Sequence, residues 1–366
     1  MLSESDFEVA PCLGEGPIAD AAQSAVLAAK KLGVTRWASL ARAWSVPYLF
    51  GGMERVFASG QEPVGAINDL LENLAKFLNI ASNSGFVQLG NTVEGDAAEQ
   101  SETFINGVEE LTADHYGQLF GAFSSTSFWD EPVRLLRERL DRNSIDISLL
   151  KGKEVLDAGC GGGRYSVAWR LLGAKRVVGI DISALGISDA KQRIAQAGTD
   201  GVILEQGDVL ALPFEESSFD IVSSNGVLHH TVDWKSGVSE VVRVLKPGGL
   251  GWLYLIEKPG GLFWDVIEIL RMITKDVGSD TARSALQILG IPANRIFYML
   301  DHVLVPINVR LSTDQVEECL VAAGATEIRR LSRGTNFDRI ERIHQGEPFA
   351  SLKYGVGENR YVFSKG

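Results

Sequence analysis

Lys153-Glu154-Val155-Leu156-Asp157-Ala158-Gly159-Cys160-Gly161-Gly162-Gly163-Arg164 reads as a short apolar strand that ends in an acid, breaks into glycines, and opens a helix through Tyr165, Ser166, Val167 and Trp169. Without a Cβ, glycine lets the backbone turn sharply and approach a ligand closely. The helix that follows begins with N–H groups that have no partner inside it. A dinucleotide sets its pyrophosphate on such a helix start and favours G-x-G-x-x-G. With Gly159 and Gly161 as the first two glycines, the third falls at 164, which is Arg164. The pattern is instead Asp157-x-Gly159-x-Gly161-x-Gly163, with an acid at its head. That acid suits a positively charged ligand and opposes a pyrophosphate. A tight turn in an ordinary α/β protein is the plain alternative.

Downstream of the loop, strand and helix alternate, the pattern of a parallel sheet covered on both faces. Strands are expected at 154–157, 176–181, 202–205, 219–224 and 250–256, with helices at 184–197 and 232–244. Lys246-Pro247-Gly248-Gly249 reads as a turn, and 327–331 with 360–364 as a final antiparallel pair. Upstream, residues 1–100 look helical. Ala21 to Leu32 is alanine-rich, and Ile67, Leu70, Leu71, Leu74, Phe77 and Leu78 recur at helical spacing. The acidic, small-residue run 94–101 is a candidate linker. In the connecting segment 101–150, residues 131–142 form an amphipathic helix with Pro132 in its first turn. The domain proper is expected over 151–366, with an apolar, aromatic helical cap inserted at 258–310.

The formal net charge is −12 over 366 residues, and no cluster of Lys and Arg of the kind that phosphate backbones require is apparent. The three cysteines, Cys12, Cys160 and Cys319, are too few and too widely spaced for a disulfide framework or a zinc site. Cys160 suits the loop as a small side chain in a tight turn. The N-terminus lacks the order of a signal peptide, and no apolar run is long enough to span a bilayer, so a cytoplasmic protein without membrane or nucleic-acid partners is expected.

Further signals follow in order along the chain. Asp181 closes the second strand twenty-two residues after Gly159, where a carboxylate can accept both hydroxyls of a ribose. A helix N-cap is the other use for an acid or Ser183 there. Then come Gly207-Asp208-Val209-Leu210-Ala211-Leu212-Pro213-Phe214, Ser224-Asn225-Gly226-Val227-Leu228-His229-His230, and the turn Leu245-Lys246-Pro247-Gly248-Gly249. Together with the glycine loop, this set resembles the class I S-adenosylmethionine (SAM) methyltransferases, and is similar to the ubiquinone and menaquinone C-methyltransferases. The resemblance covers about residues 150–257 and omits residues 1–100 and the insertion.

The resemblance implies a Rossmann-like, seven-stranded, mostly parallel sheet with an antiparallel last strand, and SAM as cofactor. It implies cofactor contacts from Asp157, Gly159, Cys160, Gly161, Gly163, Asp181, Ile182, Asp208, Val209 and Asn225, with Asp208 on the adenine amino group and Val209 against the ring. Tyr116 stands where such enzymes often close an aromatic residue over the cofactor, although a core tyrosine would sit there equally well.

Methyl transfer from a sulfonium is an in-line displacement that needs alignment and exclusion of water. A base is needed only where the nucleophile must lose a proton. His229 and His230 are the candidates for that base, as they titrate near neutral pH. Ordering the loop is their alternative role. Tyr165, Trp264, Tyr298 and His302 are candidate substrate contacts, with helix packing as the alternative. The acceptor is expected to be a small molecule with an N, O, S or C nucleophile. Two other readings are a SAM-binding partner protein without activity and an NAD(P)-dependent oxidoreductase. Residues 1–100 would serve as a lid or a dimerisation module, so a homodimer is a further expectation.

Overall fold

The computed structural model describes residues 16–84 and 125–366. Three helices come first: α1 (Ala19–Lys30), α2 (Arg36–Ala58) and α3 (Pro63–Asn83). Next are α4 (Ser125–Arg142), β1 (Glu154–Ala158), α5 (Arg164–Leu171), β2 (Arg176–Asp181), α6 (Ala184–Ala197), β3 (Val202–Gln206), β4 (Phe219–Asn225), α7 (Trp234–Val244) and β5 (Leu245–Leu255). The insertion supplies α8 (Gly261–Thr274), α9 (Ser279–Ile288) and α10 (Ala293–Val303). The chain closes with α11 (Thr313–Ala322), β6 (Ala325–Arg330), α12 (Arg339–His344), α13 (Ala350–Tyr354) and β7 (Asn359–Lys365).

These elements form two compact units. Among the described residues, one comprises 16–84, 260–305 and 347–355, so the N-terminal helices and the inserted helices share a single core. In it the alanines of α1 (Ala21, Ala22, Ala25, Ala28, Ala29) and Ile67, Leu71, Leu74 and Leu78 of α3 are buried. Phe77, expected on that apolar face of α3, is exposed. Thr35 caps α2 by accepting the Ala38 N–H at 3.1 Å, and Pro63 opens α3 where a missing N–H costs nothing.

The other unit holds the seven-stranded sheet, ordered β3-β2-β1-β4-β5-β7-β6, with β7 antiparallel to both of its neighbours. The expected alternation is what the chain forms. β1 is buried along nearly its whole length, as a central parallel strand covered on both faces should be. Ser183 caps α6, Asp233 caps α7, and Ser312 with Gln315 forms a capping box on α11.

Two local expectations differ. α4 starts at Ser125, so Pro132 lies inside the helix rather than in its first turn. β5 starts at Leu245, and the Lys246–Gly249 turn becomes a register shift against β7 between Pro247 and Leu250. A bulge of this kind absorbs Pro, which cannot donate to a ladder.

Because β1 pairs in parallel with both β2 and β4, Asp157, Asp181, Asn225 and the loops after them stand along one carboxyl edge. Connections leave β1 in opposite directions there, which makes this the switch point where open α/β sheets bind ligands.

Candidate functional site

Asp157 ends β1 almost fully enclosed, with 2% exposure. Its Oδ2 accepts the Ser166 hydroxyl at 2.6 Å from the first turns of α5. Burial pushes its carboxyl up to about 7, the Ser166 bond opposes that rise, and Asp181 adds to it. Gly159 follows at φ +83°, and a Cβ there would lie 2.3 Å from a Val227 methyl. Gly163 starts α5 at φ +73°, where a Cβ would lie 2.8 Å from Leu204. Both positions therefore require glycine for conformation and for packing.

Asp181 ties the loop to β2. Its Oδ2 accepts the Gly161 N–H at 2.7 Å, and its Oδ1 accepts the Ser183 N–H at 2.9 Å. The cap of α6 is Ser183, through Gly186 N–H, so Asp181 bridges two loops instead. A carboxylate oxygen accepts more than one hydrogen bond, so both oxygens keep capacity for hydroxyl donors. Burial raises the Asp181 carboxyl, and the two N–H bonds offset part of the rise.

Past β3, Asp208 Oδ1 accepts the Leu210 N–H at 2.8 Å, closing its own turn, and Val209 is buried. Ile182 is half-buried, and its carbonyl accepts Gln206 Nε2 at 3.2 Å. The Cys160 thiol is buried, and burial with the two neighbouring acids pushes it up, which keeps it protonated. Asn225 ends β4 with its Oδ1 accepting Trp252 Nε1 at 3.3 Å and Arg360 Nη1 at 2.8 Å. Tyr116 lies outside the described residues.

His229 and His230 form a short 3₁₀ turn after β4 and are both buried, with ring centroids 4.1 Å apart. His230 Nδ1 lies 2.7 Å from the Ile307 carbonyl. A carbonyl only accepts, so Nδ1 carries a proton, and in the neutral ring Nε2 is the accepting nitrogen. Val309 N–H donates to the His229 carbonyl at 2.9 Å, so residues 307–309 strap across both histidines. In the middle of that strap, Asn308 has both ends of its carboxamide buried without a hydrogen-bond partner among the described residues. Such a group costs about 1–3 kcal/mol, so Asn308→Leu is expected to unfold at the same or a higher temperature than the parent, read by calorimetry.

A buried polar framework braces this edge. Arg139 of α4 binds Asp338 through Nε at 2.8 Å and Nη2 at 2.7 Å, and donates from Nη1 to the Tyr165 hydroxyl at 2.8 Å. Arg339 binds Glu257 at 2.9 Å and 3.2 Å and reaches the Tyr254 hydroxyl at 3.3 Å. Arg360 lies over the Tyr254 ring at 4.3 Å, in the row Asn225–Tyr254–Arg360 that sheet register makes. Tyr165 is thus held by the framework.

In the other unit, Trp264 and Tyr298 come together around His302, with ring centroids 5.4 Å and 4.7 Å from it. Phe50 and Phe263 complete the aromatic cluster at 6.3 Å and 5.9 Å. Among the described residues no group of acidic, His and Cys side chains is arranged to hold a metal ion. None of their helices is long and apolar enough to cross a membrane.

Sequence reasoning did not single out Ser166 as a partner of Asp157, nor Tyr254, Asn308, Arg339 or Arg360. The last four belong to no motif, and only their contacts mark them. The Ser166 spacing, nine residues after Asp157 and in the first turn of the helix past the loop, was the one available signal.

Residues 156–253 match the methyltransferase domain family. The chain is 35% identical over 142 residues to 27-O-demethylrifamycin SV methyltransferase of Amycolatopsis mediterranei, covering 37% of this chain and 52% of that protein. It is 34% identical over 102 residues to demethylmenaquinone methyltransferase of Lactococcus lactis, covering 27% and 40%. Among solved structures, PKMT2 from Rickettsia typhi aligns with a TM-score of 0.45 at 18% identity, over 64% of this chain and 52% of that one. The chain spans about half the length of the curated relatives it matches.

Proposed function

We propose, from the class I SAM-dependent methyltransferase domain that this chain carries, that it moves a methyl group from SAM to a small-molecule N, O, S or C nucleophile and releases S-adenosylhomocysteine (SAH). The observation that carries the reading is the acid-headed glycine loop bonded through Gly161 N–H to Asp181, with Asp208 beyond the next strand. The residues fit the cofactor. Asp181 has acceptor capacity for ribose hydroxyls, Val209 offers an apolar surface for a ring, and the buried Asp157 favours a cation. A pyrophosphate would meet the charge of Asp157 and Asp181. Arg164, which replaces the third glycine, is paired with Glu131 at 2.8 Å.

SAM supplies an activated methyl group on a positively charged sulfur. What the chain contributes is alignment, exclusion of water and, for an acceptor with a proton to lose, a base. His230 suits that last role because Ile307 holds Nδ1 as a donor, so the neutral ring would take a proton at Nε2. The named acceptors of the relatives, 27-O-demethylrifamycin SV and demethylmenaquinone, differ from each other, which supports the reaction class and not one acceptor. Trp264, Tyr298 and His302 form, within their own unit, an apolar, aromatic cluster with an imidazole, whose chemistry suits a largely apolar acceptor. We place the protein in the cytoplasm and allow for a homodimer.

Calorimetric titration tests the cofactor: SAH is expected to bind and NAD(H) or NADP(H) not to bind. Nicotinamide binding without SAH binding would overturn the reading. His230→Ala is expected to lower turnover by about 10²–10⁴-fold for an acceptor that must lose a proton, with little change in SAH affinity. His229→Ala is expected to lower it less. Normal turnover in both variants would remove the base assignment.

A further inference from the structure

Asp157 and Ser166 make a pair that the motif does not contain. Ser166 is fully enclosed on α5, and its single hydroxyl proton is donated to Asp157 Oδ2 at 2.6 Å. The site leaves the serine little freedom. A Cβ on Gly179 would lie 2.9 Å from both Ser166 Oγ and Cys160 Sγ, so the hydroxyl is wedged between β2, the glycine loop and the acid. We propose that Ser166 is a positioning residue for cofactor binding, whose hydroxyl keeps the enclosed Asp157 oriented and negatively charged for the cofactor's ammonium group. The inference rests on the reading of the glycine loop as a SAM site.

Burial and one neighbouring acid oppose the charge of Asp157. Asp181 from β2 is a like charge, and the enclosed Cys160 thiol stays neutral. From β4, its register partner is Ser223, which carries no charge. Arg164, which opens α5, is paired with Glu131. Among these groups, the Ser166 hydroxyl is what favours the carboxylate. Burial raises the Asp157 carboxyl above its ordinary value, so its charge is present above about pH 7 and is lost as pH falls through that value. A cationic ligand therefore binds better as pH rises through this range. Removing the hydroxyl shifts that rise to higher pH. A charge-assisted bond of this length is about twice as strong as a neutral one, enough to move the midpoint by about one pH unit, or about fivefold in affinity at neutral pH.

The experiment is calorimetric titration of the full chain with SAH between about pH 6 and about pH 9, for the parent, Ser166→Ala, Ser166→Gly and Asp157→Asn. Each variant is compared with the parent at the same pH, so the ligand's own titration cancels. Both serine variants are expected to bind about fivefold more weakly at neutral pH and to recover at alkaline pH. Two different packing changes sharing one alkaline recovery identify the hydroxyl as the cause. A deficit that is constant with pH, or no deficit, overturns the role of Ser166. Asp157→Asn is expected to bind weakly, without the rise through neutral pH. Parental affinity in Asp157→Asn would instead overturn the reading of the loop beneath it.

Discussion

Asp181→Ala is expected to lower SAH affinity by about 100-fold or more, measured by calorimetry. On the proposed ribose assignment, two charge-assisted hydrogen bonds would be lost, each worth ~1.5–3 kcal/mol. The substitution also releases the Gly161 and Ser183 N–H groups, which the two carboxylate oxygens hold at 2.7 Å and 2.9 Å. The glycine loop then loses its tie to β2. Asp181→Asn separates the two contributions poorly, because its NH₂ must face one of those N–H donors. It is expected to weaken binding as well. Burial holds the Asp181 carboxyl above its ordinary value, so SAH affinity should also fall as the solution is acidified through that raised value. Unchanged affinity in Asp181→Ala would remove the ribose assignment.

Asp338→Asn is expected to destabilise the carboxyl edge by about 3–5 kcal/mol, the cost of leaving one half of a buried ion pair. Arg139 and Asp338 are 7% and 6% exposed, and they meet through two short hydrogen bonds. The same carboxylate accepts the Thr335 N–H at 2.8 Å, so the loop before α12 depends on it too. Hydrogen exchange across residues 333–346 is the measurement, and protection equal to that of the parent would contradict the expectation. Arg139→Met combined with Asp338→Leu should recover much of the loss, since an apolar pair removes the buried charge altogether. Burial alone would raise the Asp338 carboxyl, but the Arg139 guanidinium overcomes it and holds the group well below the usual range. Its contribution is therefore full above the unfolded carboxyl value, near pH ~3.9, and is lost only as pH falls toward the depressed folded value.

The placement of the candidate residues along one sheet edge was legible because their signals are local. The acid-headed loop, the acid closing β2 and the Gly-Asp after β3 each lie within a few residues of a strand end. A parallel sheet brings strand ends together without further instruction. Asn225 was legible as a position and not as a set of contacts. It stands at the end of β4 as its motif implies, yet its side-chain amide oxygen Oδ1 is taken by Trp252 and Arg360. Tyr165 is similar: the sequence puts it after the loop, and the structure hands its hydroxyl to Arg139.

The sequence by itself determined the alternating order of strands and helices, the glycine loop and the acids along one edge, because hydrophobic period, glycine and chain order act over short separations. Only the tertiary structure decided that Ser166 serves Asp157, that Ile307 sets the tautomer of His230, and that Arg139 and Asp338, 199 residues apart, close on each other. It also decided that helices from 19–83 and 261–303 share one core. A buried charge or hydroxyl must find its partner wherever the packed chain brings one within about 3 Å, and no periodicity in the sequence records that distance.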